Sequence, residues 1–242
     1  VLRGADRLIC NSQNTKALLM EHWHVPTEKI EVINPGVDEK TFCPADIDPA
    51  FRKKVGWEDR FVCLTVGRLQ RRKGHDKMIE AIPQIAKEIP NILYAIVGQG
   101  DNYPNLVAAV KKLGLESYVQ FMDGIEDEDL IRCYQQCDLF ILPNRTDGND
   151  IEGFGMVLVE AQAAGKPVIA GDSGGTSETL NSGKTGMIID CTDPEIIAGA
   201  VVNMRNSMAF GSFKPEDCRL HVLQNLTWGK HAKKAETVFD QI

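Results

Sequence analysis

The chain has 242 residues, of which 43% are hydrophobic and 25% are charged, and its formal net charge at pH 7 is −7. This is an ordinary globular composition with enough apolar material for one good core and part of a second. The acidic balance argues against a broad nucleic-acid-binding surface. Seven cysteines without a C-x-x-C pair predict buried thiols in a reducing compartment rather than a disulfide framework or a zinc site.

The beginning of the sequence does not have the pattern of a signal peptide. Every long apolar stretch is broken by a charge or a glycine before it reaches the ~20 residues that a membrane-spanning helix requires. We therefore expect a cytoplasmic protein, either free or peripheral to the inner face of the membrane.

Short apolar runs alternate with longer amphipathic stretches along the chain, which is typical of βα units on a parallel sheet. We predict a Rossmann-like α/β fold, with a parallel sheet and helices on both faces. In chain order the pattern predicts a strand over 7–10, a helix over 12–23, strands over 31–34 and 61–66, a helix over 75–87, a strand over 92–97, a helix over 103–112, a strand over 118–121, a helix over 128–136, a strand over 139–142, a helix over 154–163, strands over 167–170 and 187–189, and helices over 194–205, 214–224 and 227–241.

The first strand and helix are separated from the main array by a proline-punctuated stretch that contains Pro35, Gly36, Pro44 and Pro49. Such a stretch is typical of a linker between domains. We predict that residues 1–40 are the remnant of an N-terminal domain with its linker and that residues 41–225 are the Rossmann-like domain. Residues 226–242 are predicted to form a helix that returns toward the missing N-terminal domain, because no strand follows it.

A basic loop follows the predicted strand over 61–66, and it contains Gly67, Arg68, Lys73 and Gly74. Ligands bind at the carboxyl ends of strands in open α/β sheets, and two cations at that edge suit a diphosphate. The loop has neither the spacing nor the hydroxyl of a P-loop, which disfavours hydrolysis of a nucleoside triphosphate. A solvated basic turn is the alternative interpretation.

Two more glycine-rich loops follow predicted strands, one at Val97-Gly98 and one over 171–178. The first indicates a close backbone approach rather than a dinucleotide fingerprint, because Tyr103 stands where that fingerprint has its third glycine. A flexible loop is the plainer reading of the second.

Two carboxylates, Glu152 and Glu160, flank the segment Gly153-Phe154-Gly155 and the start of a predicted helix. A glycine-rich turn lets backbone N–H groups approach an anion, and the helix start adds partial positive charge. One acid would then address a sugar and the other a ribose. An amphipathic helix with two solvated acids explains the same spacing.

Acidic pairs that could suggest a metal site occur at residues 46 and 48 and at residues 127 and 129. Neither pair follows a strand end beside the other candidate residues, so we predict that both are structural and that no metal is bound. Cys133 and Cys137 lie four residues apart on a predicted helix, but no histidine accompanies them.

Taken together, these segments resemble the retaining, GT-B-fold glycosyltransferases of family four, also called group 1. The resemblance covers the chain from about Ala5 onward. It rests on the order of Gly67-Arg68 with Lys73-Gly74, Val97-Gly98-x-Gly100, the segment 121–127, Asp138 to Pro143, Glu152-Gly-Phe-Gly with Glu160-Ala161, Gly165-Lys-Pro167-Val-Ile-Ala170, and Gly174-Gly175 with Glu178. The segments 147–152 and 159–167 are most similar to the phosphatidylinositol mannosyltransferase-like branch, which uses GDP-mannose.

The resemblance implies roles for individual residues in a donor-binding half of such an enzyme. Arg68 and Lys73 would neutralise the leaving diphosphate, so that neither a metal nor another cofactor is needed, and Glu152 would position the donor hexose. Glu160 would bind the ribose diol. The remaining donor contacts would come from Gly67, Val97, Gly98, Gly153, Phe154, Gly155 and Met156, with Ile125 and Asp127 at the edge of the base.

An acid at position 127 would accept two hydrogen bonds from guanine, which uracil cannot supply. A helix-capping role for the cluster over 126–129 competes with this interpretation.

The leading hypothesis is a hexosyltransferase that moves mannose from GDP-mannose to a lipid or saccharide acceptor at a membrane surface. Retention is expected through front-face attack, because no acid is placed as a covalent nucleophile. We expect the chain alone to bind a nucleotide-sugar weakly and to transfer no sugar without the missing N-terminal domain. A stand-alone nucleotide-sugar-binding module and a nucleotide-sugar epimerase of similar fold stay open as alternatives.

Overall fold

The computed structural model of the protein describes residues 2–241. Val1 and Ile242, the outer ends of the first and last predicted segments, lie outside the described residues. The strands are β1 (Leu8–Cys10), β2 (Ile30–Val32), β3 (Phe61–Val66), β4 (Ile92–Val97), β5 (Val119–Met122), β6 (Leu139–Leu142), β7 (Val168–Gly171) and β8 (Gly186–Ile189). The α-helices are α1 (Gln13–Trp23), α2 (Pro49–Lys54), α3 (His75–Glu88), α4 (Tyr103–Leu113), α5 (Asp127–Gln136), α6 (Met156–Ala163), α7 (Pro194–Ala209), α8 (Pro215–Asn225) and α9 (Trp228–Phe239).

Six strands form one parallel sheet in the order β5-β4-β3-β6-β7-β8. The strand order reverses between β3 and β6, because the chain fills one side of the sheet with β4 and β5 before it crosses to β6. Ligands of open α/β sheets bind at the carboxyl edge beside such a reversal. The loops after β3 and β6 are therefore the expected walls of a site.

An apolar core lies on each face of this sheet, and each core is built by a separate set of helices. Helices α3, α4 and α7 cover one face with side chains such as Ile82, Leu106 and Val201. On the other face α5 and α6 pack with Tyr134 and Leu158. The strands read as continuous apolar runs because both of their faces are buried.

Strands β1 and β2 form a separate two-stranded parallel sheet with its own small apolar cluster. The segment that leaves β2 then meets the start of α9. The N–H of Val37 donates to Leu226 at 2.9 Å, and His231 Nδ1 lies 3.0 Å from the backbone oxygen of Asn34. This places α9 beside residues 34–37. Along the described part of the chain, no helix combines the length and the apolar character needed to cross a membrane.

The predicted fold class is confirmed: a parallel sheet of six strands with helices on both sides. Strands β3, β4 and β6 have the predicted bounds, and the other strands differ by one or two residues at an end. Helix α7 extends four residues beyond its predicted end. The division into residues 1–40, 41–225 and 226–242 stays a prediction.

A helix that the sequence analysis did not predict, α2, begins at Pro49, the last proline of the proline-punctuated stretch. Asp48 caps this helix by accepting a hydrogen bond from the N–H of Phe51 at 3.0 Å. Phe51 and the following Trp57 are buried in the core of the α5–α6 face. A helix of six residues gives little periodic signal, and the proline at its first position reads equally well as part of a linker.

Candidate functional site

The loop after β3 presents one exposed cation and one buried cation. Arg68 is exposed, and within residues 2–241 its side chain forms no ion pair. A 3₁₀ turn (Arg71–Lys73) follows and turns Lys73 inward, where 8% of the residue is exposed. Burial lowers the pKa of Lys73, and the neighbouring Glu152 carboxylate opposes that shift. Arg68 is therefore the cation available to a ligand from solution.

Glu152 lies against this loop and is itself 8% exposed. Its Oε2 accepts a hydrogen bond from Lys73 Nζ at 2.5 Å and another from Arg72 Nη1 at 2.6 Å. Two of the three residues predicted to be catalytic, Lys73 and Glu152, are thus in direct contact. Oε1 of Glu152 has no hydrogen-bond partner among the described residues, which leaves it available to a hydroxyl donor.

Arg72 is the member of this cluster that the sequence did not single out. Besides Glu152, its Nε lies 3.0 Å from Asp150 Oδ1, and its backbone oxygen accepts from the N–H of Arg145 at 2.8 Å. Arg145 in turn forms a two-pronged pair with Asp76, each contact being 2.9 Å long. The loops after β3 and β6 are therefore joined by charge at several points. The one available signal was the run of three basic residues that contains Arg72.

Glycines bring the backbones of these loops close together. A Cβ on Gly98 would lie 2.1 Å from the backbone oxygen of Gly67, so the loops after β3 and β4 approach this closely only because position 98 is glycine. A Cβ on Gly174 would lie 1.8 Å from the backbone oxygen of Glu152. The N–H of Gly175 also donates to that oxygen at 2.9 Å. The loop over 171–178, interpreted above as flexible, therefore packs against the backbone of Glu152 and fixes its position.

Helix α6 begins at Met156, two residues later than predicted, because Gly155 adopts a φ of +95° and serves as its N-cap. Within residues 2–241 no side chain caps the helix, and the N–H groups of Met156 and Val157 are free for an anion. Phe154 is buried against Val159 and Val222. That burial anchors the turn between Gly153 and Gly155.

Glu160 lies further along α6, and its Oε2 accepts a hydrogen bond from the Tyr134 hydroxyl at 2.6 Å. Burial raises the pKa of Glu160, and the hydrogen bond from Tyr134 opposes that shift. Burial also raises the pKa of Tyr134. Tyr134 was not singled out from the sequence, because a hydroxyl that reaches across two helices gives no local signal.

The predicted base-edge residues lie on the loop that leads from β5 into α5. Ile125 is partly buried against the core, while Asp127 is exposed as the first residue of α5 and forms no ion pair within residues 2–241. The neighbouring Asp129 pairs with Lys54 at 2.7 Å. The acidic pairs at residues 46 and 48 and at residues 127 and 129 do not form a shared cluster. Among the described residues, no group of three or more His, Cys, Asp or Glu side chains is placed to hold a metal ion.

A buried polar chain lies beneath the loop after β3. His75, the first residue of α3, contacts the Tyr94 hydroxyl through Nδ1 at 3.0 Å, and that hydroxyl lies 3.1 Å from Thr65 Oγ1. Burial lowers the pKa of His75 to about 4, so the imidazole is neutral at physiological pH. Thr65 donates in turn to the backbone oxygen of Ile141. These hydrogen bonds link β3, β4 and β6 at the edge of the sheet that carries the site.

The same families and folds emerge when the chain is compared with known proteins. The family described as "Glycosyl transferases group 1" matches residues 47–206, and the family described as "Glycosyltransferase Family 4" matches residues 1–41. A GDP-mannose-dependent alpha-(1-6)-phosphatidylinositol monomannoside mannosyltransferase of Mycolicibacterium smegmatis is 40% identical over 179 residues, which are 73% of this chain and 47% of that protein. A D-inositol 3-phosphate glycosyltransferase of Streptomyces scabiei is 31% identical over 208 residues, 82% of this chain and 46% of that protein.

Solved structures share the fold over nearly the whole chain. A glycosyltransferase from Rickettsia africae superposes with a TM-score of 0.86 at 24% identity and covers 98% of this chain and 63% of its own. HepE from Anabaena, in complex with UDP and glucose, superposes with a TM-score of 0.87 at 23% identity over 100% and 65%. Both have the GT-B fold. The chain spans about half the length of the curated relatives that it matches. It belongs to the group 1 glycosyl transferases.

Proposed function

We propose that the chain binds the nucleotide-sugar donor of a retaining hexosyltransferase and that the donor is GDP-mannose. The transfer reaction itself, to a lipid or saccharide acceptor, is proposed for a protein of the relatives' length. The observation that carries the proposal is the contact of Lys73 with Glu152 beside the exposed Arg68, at the strand-order reversal of the sheet. This arrangement sets two cations and a carboxylate with one free oxygen at the edge where nucleotides bind.

In the proposed reaction, Arg68 and Lys73 neutralise the charge that develops on the departing diphosphate. The uncapped N–H groups at the start of α6 add partial positive charge at the same edge. Two side-chain cations at the diphosphate make a bound metal unnecessary, and we propose a metal-independent transfer. Oε1 of Glu152 accepts a hexose hydroxyl, so that Glu152 positions the sugar while the acceptor attacks from the face that the diphosphate leaves.

For the nucleoside we propose that Glu160 binds the ribose diol and that Asp127 accepts from the guanine edge. Glu160 has one oxygen occupied by Tyr134, and the other oxygen has no partner among residues 2–241. Asp127 is exposed and unpaired within the same residues. Identity of 40% to a protein named as GDP-mannose-dependent supports guanine and mannose over other donors.

The test is a calorimetric titration of the chain with GDP, UDP, ADP, GDP-mannose and UDP-glucose. We expect GDP and GDP-mannose to bind most tightly. Arg68→Ala should weaken the affinity for GDP by about tenfold or more, because a charge-assisted contact to phosphate is lost. Arg71→Ala is the matched control. Arg71 is also an exposed arginine on this loop, and it lies 3.7 Å from the carboxylate of Asp147.

A preference for UDP over GDP would overturn the assignment of base and sugar. Equal affinities of the Arg68→Ala and Arg71→Ala variants would remove Arg68 from the diphosphate site. Failure of every nucleotide to bind would overturn the proposal as a whole.

A further inference from the structure

At the centre of the site, one carboxylate oxygen of Glu152 accepts hydrogen bonds from two cations. Lys73 and Arg72 both donate to Oε2 of Glu152, at 2.5 and 2.6 Å. The three side chains are 10–11% exposed, so each charge depends on the others for compensation. A buried carboxylate that loses its partners keeps an uncompensated desolvation penalty, which is strongly destabilising. Glu152 therefore needs at least one of these two cations at all times.

The proposed function gives Lys73 a second task, because its ammonium group is also expected to neutralise the diphosphate. A lysine ammonium is a compact charge at the end of a flexible stem, and it can turn from one anion to another. If Lys73 turned to the diphosphate without a substitute at Glu152, the buried carboxylate would be left unpaired. That cost would be subtracted from the binding energy of the donor.

Arg72 is placed to remove this conflict. Its guanidinium forms ion pairs with Asp150, at 3.0 Å, and with Glu152, and its backbone oxygen accepts a hydrogen bond from the N–H of Arg145. Arginine stays charged at any physiological pH and suits buried ion pairs. Arg72 is therefore a stationary cation beside a mobile one.

We propose that Arg72 is a positioning residue that keeps Glu152 paired when a diphosphate binds, and thereby releases Lys73 to the diphosphate. This inference rests on the proposed function, and it goes further by assigning a residue outside the predicted donor contacts. Arg72 acts through Glu152 and Lys73 rather than by touching the ligand. The two residues are therefore coupled: Arg72 affects the affinity for a diphosphate only while Glu152 carries its charge.

A double-mutant cycle measures this coupling. The affinity for GDP is determined by calorimetry for the wild-type chain and for Arg72→Gln, Glu152→Gln and the double variant. GDP carries no hexose, so the contact of Glu152 with a sugar does not enter the measurement. If the wild-type chain binds UDP more tightly, UDP replaces GDP throughout.

We expect Arg72→Gln to weaken GDP binding roughly tenfold, because Lys73 then stays with Glu152. Glu152→Gln should bind GDP at least as tightly as the wild-type chain, since Lys73 is freed. The double variant should bind GDP with an affinity within about twofold of that of Glu152→Gln. Arg72→Lys, which keeps the charge, should restore much of the affinity, and it tests the same point if Arg72→Gln does not fold.

A double variant as weak as Arg72→Gln would overturn the inference, because Arg72 would then act on the diphosphate or on the loop directly. Wild-type affinity in Arg72→Gln would overturn it as well. Arg71→Gln is the control for the loss of one positive charge from the same turn. The cycle is uncoupled if the effects of Arg72→Gln and Glu152→Gln simply add. If Arg68→Ala loses GDP binding and the cycle is uncoupled, the proposed function stands and only the role of Arg72 is rejected. Absence of any nucleotide binding to the wild-type chain rejects both.

Discussion

At the scale of single residues, burial lowers the pKa of Lys73 and of His75, and their polar partners decide which charge state each one keeps. Lys73 keeps a carboxylate partner that offsets its desolvation, whereas His75 has a hydroxyl as its hydrogen-bond partner. Desolvation disfavours the charged form in both, but the offset differs. His75 is consequently held neutral, with its pKa lowered to about 4. Its ordinary value in an unfolded chain is about 6.5.

This difference predicts a loss of stability in mild acid. Between pH 6.5 and 4 the unfolded chain takes up a proton at His75 and the folded chain does not, so stability falls as the pH is lowered through this window. From pH 7 to pH 5 the contribution of His75 amounts to about 2 kcal/mol. In His75→Asn, which can keep a polar contact with Tyr94, this part of the acid sensitivity should disappear.

Urea unfolding at pH 7.0 and pH 5.0 measures the effect in both proteins. His22→Asn, at an exposed position of α1, is the control for the loss of one histidine. A loss of stability between the two pH values that is as large in His75→Asn as in the wild-type chain would contradict the prediction.

Residue types and their positions after strands predicted that Lys73 and Glu152 face the same edge of the sheet. Lys73 and Glu152 are 79 positions apart in the sequence and lie in contact. The partners that hold them were not predictable in the same way. Arg71 and Arg72 are identical in type and adjacent, yet one is exposed and the other is buried, and only the 3₁₀ turn decides which of them faces Glu152.

At the scale of elements, the loops of the site are positioned by backbone contacts. Gly174 has a φ of +62° and leaves no room for a Cβ against the backbone oxygen of Glu152. Gly183 has a comparable φ of +80°, but nothing lies within 4 Å of the place where its Cβ would be. The two glycines therefore separate the cost of the backbone conformation from the cost of the close approach.

We expect Gly183→Ala to destabilise the protein by about 1 kcal/mol, which is the cost of a left-handed conformation with a side chain. Gly174→Ala should cost roughly 3 kcal/mol or more, because the backbone at Glu152 must also move. It should weaken the binding of GDP-mannose, whereas Gly183→Ala should not. Unfolding and calorimetric titration of both variants provide the comparison. Equal stability and affinity of the two variants would show that the contact with Glu152 is unimportant.

The same scale explains which elements the sequence could reveal. Apart from the hydroxyls of Thr65 and Tyr94, the long strands β3 and β4 are apolar because they are buried on both faces, and their bounds could be predicted directly. Helix α2 has six residues, and its place in the fold depends on Phe51 reaching a core formed by helices far along the chain. The start of α6 depends on the φ of Gly155, which glycine permits but does not require.

At the scale of the whole molecule, the carboxylate of Glu178 links the two-stranded sheet to the six-stranded sheet through two contacts. Oε1 of Glu178 accepts from the backbone N–H of Gln13, at the first turn of α1, at 2.8 Å. Its Oε2 accepts from Asn34 Nδ2 at 3.0 Å. A carboxylate at a helix N-terminus satisfies a free N–H group and interacts favourably with the helix dipole. Glu178 therefore contacts the chain just after β1 and just after β2.

Removal of this carboxylate should loosen the first segment more than the main sheet. In Glu178→Ala we expect faster hydrogen–deuterium exchange in β1, α1 and β2, by about tenfold, because contacts worth on the order of 1–2 kcal/mol are lost. Exchange in β3, β4 and β6 should change little, since their cores do not include Glu178. Glu195→Ala, at the exposed start of α7, is the matched control for the loss of an acid at a helix N-terminus. An equal increase in both sheets would mean that Glu178 stabilises the molecule as a whole, and no increase in β1–α1–β2 would mean that other contacts hold the segment.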